Sequence, residues 1–397
     1  MISDKIYRAM KNLLFLLLIS ICPFAVVGQS VVRVPIGQNI DEKKEVKLSE
    51  VAREMTFVPL ETKEGCMMDA DISKVEVFEN VIFVSDFTFI YRFDMDGKFI
   101  NRIGKIGNGP GEYVKGIQTF LIDKQKRRLM FFDSISKRIM QYDFEGNFIT
   151  GKNVSFLPGM CEWVSDDSFA VYNMGFSYER EPWRDLYVMT DDAKALQKNK
   201  FKKQADKRYG LMIYPPIFFR YNGMVRYKNP HENIIYNISR DDKPNPVYYL
   251  DYGKYERYSD VDDAIIKVKN GVGTNLRNPK STEKIGLIGM SETDDFLFMD
   301  YGHREGRRFA AYNKKDKSFY QIFDNDFELY GFKDDLHNGL PLLPKHNIAN
   351  NVFIMSYHAW KVKEYLQGKS NLSPRLKKIV DAIDESDNPI LIFVELK

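Results

Sequence analysis

The feature that most constrains the fold is a repeated unit of short β-strands separated by tight turns. In its clearest copy, the strands Ile82–Asp86 and Tyr91–Asp94 lead into the turn Met95-Asp96-Gly97 and a third strand that begins at Lys98. The same pattern returns one period later in the segments Leu129–Asp133, Ile139–Asp143 and Phe144–Phe148. A period of about 40 to 50 residues, with three or four strands in each unit, is typical of β-propeller blades.

Weaker copies of this unit continue along the chain. Strand pairs begin near residues 82, 129, 168, 224, 296 and 352. We therefore predict an all-β fold, a six-bladed β-propeller of four-stranded antiparallel blades. Because an open sheet edge favours aggregation, we expect the last strand, Pro389–Leu396, to share a blade with an N-terminal strand. Either Val31–Pro35 or Thr56–Leu60 could supply that strand.

Short helical insertions are predicted late in the chain. One is a short helix at Val261–Val268, and another covers His358–Gln367 and ends before Gly368. A third begins at Ser373-Pro374, a typical helix start. Its apolar residues have helical spacing, which predicts a face that packs against the propeller; they are Leu376, Ile379, Val380 and Ile383.

Residues 1–28 have the pattern of a secretory signal peptide with cleavage after Gly28. Positive side chains come first, an apolar run follows from Leu13, and short residues precede the cleavage point. The run contains Pro23 and is shorter than the roughly 20 residues that span a membrane. An alternative is lipidation at Cys22, although Ile21 stands where such sites usually have a small residue.

We therefore expect an exported protein, located in the periplasm or cell envelope of a Gram-negative type of cell and lipid-anchored only if Cys22 is modified. Residues 29–397 would form a single propeller domain closed by its terminal strands. The mature chain keeps Cys66 and Cys161. An exported chain permits a disulfide, so a disulfide and two buried free thiols both remain open.

Several segments together resemble the six-bladed β-propeller family of bacterial envelope proteins, which is related to NHL-repeat and TolB-like propellers. The segments that carry this resemblance are Phe57–Glu61, Phe93–Phe99, Gly104–Tyr113 and Asp387–Leu391. They occur in the same order as in the family and extend over most of the mature chain. The resemblance implies the propeller fold and export. Since the family has no generally established activity, it implies no catalytic residues.

Charge and spacing argue against several kinds of site. The formal net charge is +3 for 397 residues, too small for a basic surface that binds nucleic acid. The segment Gly107–Gly111 lacks the Lys-Ser/Thr ending of a phosphate-binding loop. The turn Asp94–Gly97 does not fit a calcium-binding loop. Such a loop would have its first and last ligands at positions 92 and 103, which are Arg92 and Ile103.

No catalytic, metal-binding or cofactor-binding residue is predicted. The late histidines lack the spacing of a helical zinc site; they are His303, His337, His346 and His358. Pairs of adjacent aspartates recur, but most lie before strands or in loops, where aspartate is a common turn residue.

Four residues are candidate ligand contacts. Arg102, Glu112 and Tyr113 flank the glycine-rich segment, which joins two blades and could lie near the channel mouth. Trp183, with Tyr178 nearby, could form an aromatic surface for a sugar ring. Core packing for the aromatic residues and a structural ion pair for Glu112 are the alternatives.

The sequence thus favours a binding module whose ligand is a small glycan, a peptide or another envelope protein, with no nucleic acid and no membrane span. Two alternatives stay open. One is a hydrolase, lyase or lactonase that uses a metal or carboxylates at the channel mouth, and the other is a non-catalytic scaffold that docks proteins. An enzyme would need several acidic or histidine side chains converging on one point.

Overall fold

The computed structural model describes residues 31–397 except 69–70, 115, 175–184, 202–214, 259–263, 270–271, 278–282, 305 and 350. The predicted signal peptide, with Cys22, lies outside the described residues. In the part of the chain that is described, the strands form six blades around a common axis. This confirms the predicted all-β, six-bladed propeller.

The chain enters the ring through an N-terminal segment and then builds three blades in order. The N-terminal segment contains β1 (Val32–Val34), β2 (Lys43–Lys44), α1 (Leu48–Val51) and β3 (Ala52–Pro59). Blade one contains β4 (Lys74–Phe78), β5 (Val81–Ser85), β6 (Ile90–Asp94) and β7 (Phe99–Ile103). Blade two contains β8 (Phe120–Asp123), β9 (Arg128–Asp133), β10 (Arg138–Asp143) and β11 (Phe148–Asn153). Blade three contains β12 (Pro158–Trp163), β13 (Ser168–Asn173), β14 (Asp185–Thr190) and β15 (Ala195–Lys200).

The remaining blades carry the additions to the basic unit. Blade four contains β16 (Ile217–Tyr221), β17 (Met224–Lys228), β18 (Ile234–Ile238) and β19 (Asn245–Leu250), followed by a 3-10 turn (Gly253–Tyr255) and the hairpin of β20 (Ala264–Lys269) and β21 (Val272–Arg277). Blade five contains β22 (Gly286–Glu292), β23 (Phe296–His303), β24 (Gly306–Asn313), β25 (Phe319–Asp324) and the short β26 (Leu329–Tyr330). Blade six contains β27 (His346–Ala349), β28 (Val352–Tyr357), α2 (Ala359–Leu366), α3 (Pro374–Ala382) and β29 (Ile390–Leu396).

The first strand of each blade faces the axis. Among these inner strands, β8 contacts β12, β12 contacts β16, β16 contacts β22, and β27 contacts β4. The six strand starts predicted from the sequence are the second strands of the blades, from β5 to β28. Sequence analysis therefore identified the blades but missed the inner strands, which form the wall of the channel.

Apolar layers between neighbouring blades hold the ring together. Each layer takes buried side chains from both blades that it joins. In blades one and two, for example, Phe83 and Ile90 pack with Phe120, Phe131 and Tyr142. Because each blade is covered on both faces, its central strands are apolar on both faces too, as in β9.

The ring is closed by a strand from each end of the chain. β3 pairs antiparallel with β29 along its whole length, from Ile390 opposite Pro59 to Leu396 opposite Ala52. Of the two N-terminal segments considered from the sequence, the second thus occupies the outer position of blade six. The first, as β1, pairs in parallel with β19 on blade four instead, and β2 pairs in parallel with β25 on blade five.

Gly97 shows why the Asp-Gly turn of blade one matters for this closure. Its φ is +83°, a conformation that favours glycine. A Cβ at this position would lie 2.1 Å from the carbonyl oxygen of Pro59 in β3. The Gly97 carbonyl also accepts a hydrogen bond from the Glu61 amide at 2.8 Å. The turn therefore joins blade one directly to the closing strand.

The late helices agree with the sequence in two of three cases. Ala359–Leu366 and Pro374–Ala382 are helical, and the Ser373 side chain caps the second by accepting a hydrogen bond from the Leu376 amide. Leu376 and Val380 are buried in the layer between blades five and six. The helix predicted at residues 261–268 is wrong, because 264–268 belong to strand β20. The run contains Ile265, Ile266 and Val268, and β-branched residues favour extended backbone.

Replacement of Phe57 by Ala in β3 should destabilise the protein by about 3–5 kcal/mol, because it leaves a cavity in the closing blade. Phe57 is 7% exposed and packs edge-on against His337. The matched control is Ile100→Ala in β7, the outer strand of blade one, where the side chain is 45% exposed and a change of at most about 0.5 kcal/mol is expected. Chemical denaturation followed by circular dichroism measures both; equal effects would contradict the role given to β3.

Candidate binding site in the axial channel

A cavity of about 520 Å³ lies on the propeller axis, and we call it the axial cavity. The inner strands of all six blades contribute to its wall, from Lys74 in β4 to His346 in β27. Its size is within the range of roughly 300–1,000 Å³ found for small-molecule sites. The cavity is therefore large enough for a ligand of a few rings or residues.

A cluster of charged side chains, the axial ion cluster, crosses this cavity and consists of Lys74, Glu76, Glu162 and Arg220. Lys74 Nζ lies 3.2 Å from Glu76 Oε1 and 3.3 Å from Glu162 Oε2. Arg220 donates to Glu162 Oε1 from Nη2 at 2.8 Å and from Nε at 3.2 Å. These residues come from blades one, three and four, so the cluster connects blade one with two blades that are not its neighbours.

The cluster keeps its charges at neutral pH. Burial alone would raise the pKa of the Glu162 carboxyl, but Lys74 and Arg220 outweigh that effect, so its pKa is lowered. Burial alone would lower the pKa of Lys74, but Glu162 and Glu76 outweigh it and the pKa is raised. Glu162 also accepts a hydrogen bond from the Trp163 amide at 2.9 Å. A carboxylate held in this way is a fixed negative charge and a poor proton donor.

The sequence places these side chains through the alternation of the inner strands. In β4, Lys74 and Glu76 alternate with Val75, and Val75 is buried in the layer between blades six and one. In β12, Glu162 lines the cavity directly after Cys161. This alternation of charged and apolar residues in short strands is the signal that could have located the site.

Two further groups in the wall are uncharged. Burial, with a contribution from Lys345 and Lys74, keeps the pKa of His346 well below its usual value, so this imidazole is neutral. Cys161 and Cys66 are both buried free thiols, which settles the question that the sequence left open. Burial raises the pKa of the Cys161 thiol to about 12 and also raises that of Cys66, so neither is a reactive thiolate.

A second cavity of about 390 Å³ opens between blades five and six, and we call it the mouth cleft. It shares Met290 and Lys345 with the wall of the axial cavity. Its acidic, basic and histidine side chains are Asp71, Asp300, Arg307, Lys345, His358 and Lys361. Trp360 also lines the cleft and is 49% exposed. The two cavities are adjacent along Lys345.

The residues proposed from sequence lie elsewhere. Arg102 is exposed on the outer strand β7 and stacks over the Phe89 ring at 4.0 Å. Tyr113 is fully buried between blades one and two, and its hydroxyl donates to the Thr88 carbonyl at 3.0 Å. Trp183 and Tyr178 lie outside the described residues. Arg102 and Tyr113 do not line either cavity. Ligand binding by Arg102, Tyr113 or Trp183 stays a prediction.

Glu112 closes the glycine-rich loop. Its carboxylate accepts a hydrogen bond from the Gly109 amide at 2.8 Å and lies 3.1 Å from Lys105 Nζ. The hydrogen bond from Gly109 and the one from Lys105 lower the pKa of the Glu112 carboxyl. Glu112 thus fits the structural ion pair that the sequence offered as an alternative to ligand binding.

Another buried charged group joins blades four and five. Glu292 is 2% exposed and accepts hydrogen bonds from Arg226 Nε at 2.8 Å, Tyr248 at 2.6 Å and Lys314 at 2.7 Å. Since three donors already surround this carboxylate, the group is a cross-link between blades. Within the described residues, no group of three or more His, Cys, Asp or Glu is arranged to hold a metal ion, and no helix is long and apolar enough to cross a membrane.

Replacement of Glu162 by Gln should destabilise the protein by about 1.5–3 kcal/mol at pH 7, because the half-exposed Arg220 loses its carboxylate partner and the mostly buried Lys74 keeps only Glu76. The matched control is Glu395→Gln, which breaks an exposed ion pair with Arg53 and should cost at most about 1 kcal/mol. Equilibrium denaturation of the three proteins measures the difference, and similar losses in both variants would contradict the role of the axial ion cluster.

Comparison of Glu162→Gln with the wild type also tests how stability depends on pH. The folded-state pKa of Glu162 lies below the unfolded value near ~4.3, so its stabilisation is present above that value and is lost as the pH falls toward the folded pKa. The free energy of unfolding should therefore fall less steeply with acidification in Glu162→Gln than in the wild type. An unchanged slope below about pH 5 would show that Glu162 is not held as a charged group.

The fold matches that of solved propellers. The "Putative exported protein" of Bacteroides fragilis NCTC 9343 has a TM-score of 0.67 at 17% identity, over 92% of this chain and 100% of that one. A member of the duf4221 family from Bacteroides vulgatus has a TM-score of 0.47 at 10% identity, over 89% of this chain and 98% of that one. The PQQ-bound aldose sugar dehydrogenase of Streptomyces coelicolor has a TM-score of 0.42 at 12% identity, over 87% of this chain and 99% of that one. Only the first of these similarities supports a shared fold, and it supports nothing beyond the fold.

No curated protein matches the sequence. A sequence model of one protein family matches residues 31–395, which is almost the whole described chain. The description of that family is "Domain of unknown function (DUF4934)". The chain therefore belongs to the DUF4934 family.

Proposed function

We propose that the protein is an exported binding protein that holds a small polar ligand in the axial cavity. The observation that carries the proposal is the axial cavity itself, about 520 Å³ in volume and lined by fixed charges from three blades. Polar groups that are held in place before the ligand arrives reduce the ordering cost of binding. Such an arrangement favours recognition of a polar partner such as a glycan or a peptide.

Export is part of the proposal. It is supported by the signal-peptide pattern of residues 1–28 and by the printed description of the Bacteroides fragilis protein as exported. The sequence resemblance to NHL-repeat and TolB-like envelope propellers points to the same compartment, the periplasm or cell envelope.

The charge states favour binding over catalysis. A general acid or base works best with a pKa near the operating pH. The Glu162 carboxyl has a lowered pKa and already accepts hydrogen bonds from Lys74, Trp163 and Arg220. The Nε2 atom of His346 has no hydrogen-bond partner, but it is buried within the wall. Neither group combines a suitable pKa with access to a ligand, so the hydrolase and lyase alternatives have less support.

Filling the axial cavity tests the proposal. Asn347 lies in β27 and lines the cavity, so Asn347→Trp should occupy ligand space. The exported chain is screened against glycan fragments and short peptides by calorimetry. We expect any ligand found to lose at least about tenfold in affinity in Asn347→Trp, which corresponds to ~1.4 kcal/mol. The matched control is Ile100→Trp on the exposed outer strand of blade one, which should bind as the wild type does.

Three results would contradict the proposal. Equal binding by both variants would place the site outside the axial cavity. Turnover of a bound ligand would favour the enzyme alternative. Binding of a folded envelope protein without any small ligand, unchanged in Asn347→Trp, would favour the docking scaffold.

A further inference from the structure

Lys345 is a cation without a carboxylate in contact. Among the described residues, the hydrogen bond of its Nζ is to the Ile72 carbonyl oxygen at 3.3 Å, and no acidic side chain lies within ion-pair distance. The residue is exposed and lines both cavities. Desolvation by nearby protein lowers the pKa of Lys345 and the Arg307 guanidinium lowers it further, while Asp71 and Asp300 oppose the change. An anion bound in the cavities therefore stabilises the charged form of this side chain.

The position of Lys345 is fixed by the chain on both sides. It follows Pro344 and directly precedes β27, the inner strand of blade six. The segment before it is held by the antiparallel bridge between Phe332 and Leu342. The ammonium is therefore presented by a rigid element at the junction of the axial cavity and the mouth cleft, as a preformed site requires.

The mouth cleft has an excess of one positive charge. Arg307, Lys345 and Lys361 line it with Asp71 and Asp300 as the acids. Arg307 donates two hydrogen bonds to Asp300, one from Nε to Oδ1 at 2.7 Å and one from Nη2 to Oδ2. Asp71 is engaged by His358, with 2.5 Å between Oδ1 and Nε2. Both acids are thus already partnered, which leaves Lys345 and Lys361 without a carboxylate in contact among the described residues. Lys361 Nζ lies 5.5 Å from the centroid of the Tyr357 ring, whereas Lys345 is the cation that lines both cavities.

An aromatic surface stands in the same cleft. Trp360, in the first turn of α2, is 49% exposed and lines the cleft. Its ring lies 18° from parallel to the His358 ring, with 6.1 Å between centroids. The hydrogen bond from His358 to Asp71 fixes the second ring. A flat, half-exposed indole beside hydrogen-bonding groups suits the apolar face of a ring that carries hydroxyls on its edge.

We propose that the mouth cleft binds a uronic acid residue, with the sugar carboxylate on Lys345 and the sugar ring on Trp360. This inference goes beyond the proposed function, because the mouth cleft is a second site beside the axial cavity. A single carboxylate matches the excess of one charge, whereas a phosphate would bring a charge of about −1.5 to −2. Asp71 and Asp300 keep free lone pairs that accept hydrogen bonds from sugar hydroxyls. An acidic peptide offers a carboxylate and backbone N–H donors but no ring with hydroxyls on its edge to lie on Trp360, so the observations favour the sugar.

The test is a titration of the exported chain with glucuronate, galacturonate and their short oligosaccharides, followed by calorimetry and saturation-transfer NMR. Glucose and galactose are the neutral comparisons, glucose 6-phosphate is the phosphate comparison, and a glutamate-containing dipeptide is the peptide comparison. We expect the uronates to bind at least about tenfold more tightly than each of these.

Variants of the cleft locate the binding. Lys345→Met should reduce uronate affinity to that of the neutral sugar, and Lys345→Arg should restore part of it. Trp360→Ala should weaken uronates and neutral sugars alike. The matched control is Lys105→Met, which removes an exposed cation on the glycine-rich loop and should leave binding unchanged. Thermal unfolding of each variant checks that it is folded.

Several results would overturn the inference. These are no binding of uronates, equal binding of uronates and neutral sugars, tighter binding of the phosphate or the peptide, or wild-type uronate affinity in Lys345→Met. Failure of the inference is distinguishable from failure of the proposed function. If another ligand binds and Asn347→Trp abolishes it while uronates do not bind, the axial site stands and the uronate assignment falls.

Discussion

The closure of the ring by β3 and β29 is the constraint on which the rest of the structure depends. Six apolar layers join neighbouring blades in the described chain, and the layer between blades five and six includes residues of β3 and β29. The pairing runs from Pro59 opposite Ile390 to Ala52 opposite Leu396. While β3 is paired with β29, the ring has no free sheet edge at this seam. The N-terminal segment reaches it after pairing with blades four and five, which fixes three blades relative to one another.

The axial cavity follows from this closure. Inner strands from six blades can surround a common space only if the ring is complete, and the charged side chains on them are then brought together from distant parts of the sequence. Lys74 and Arg220 balance the charges of Glu76 and Glu162 across the cavity, at N···O distances of 2.8–3.3 Å. Lys345 stands at the edge of this balanced set without a carboxylate of its own. The electrostatics of the channel therefore consist of a fixed, paired interior and, at its mouth, the cations Lys345 and Lys361 without a carboxylate in contact among the described residues.

The sequence predicted the blades better than the site, and there is a physical reason for the difference. Second strands such as β5 and β9 are runs of large apolar residues because both faces are buried, and an aspartate ends β9 and directly follows β5. Inner strands are more varied, and the one in blade one, β4, alternates charged with apolar residues at Lys74, Val75 and Glu76, which is a weaker signal. The glycine-rich loop was more conspicuous, yet Arg102 and Tyr113 stack or bond within blades one and two. The convergence of Lys74, Glu162 and Arg220 depends on ring geometry, which no local pattern contains.

Location of a bound anion tests the central claim most directly. Crystals of the protein soaked in sodium bromide reveal anion positions through the anomalous signal of bromine. The account predicts a bromide in contact with Lys345 Nζ, at the junction of the axial cavity and the mouth cleft, because this ammonium is the cation there without a carboxylate in contact among the described residues. A carboxylate side chain paired with Lys345, or bromides at surface lysines with none at Lys345, would contradict the account.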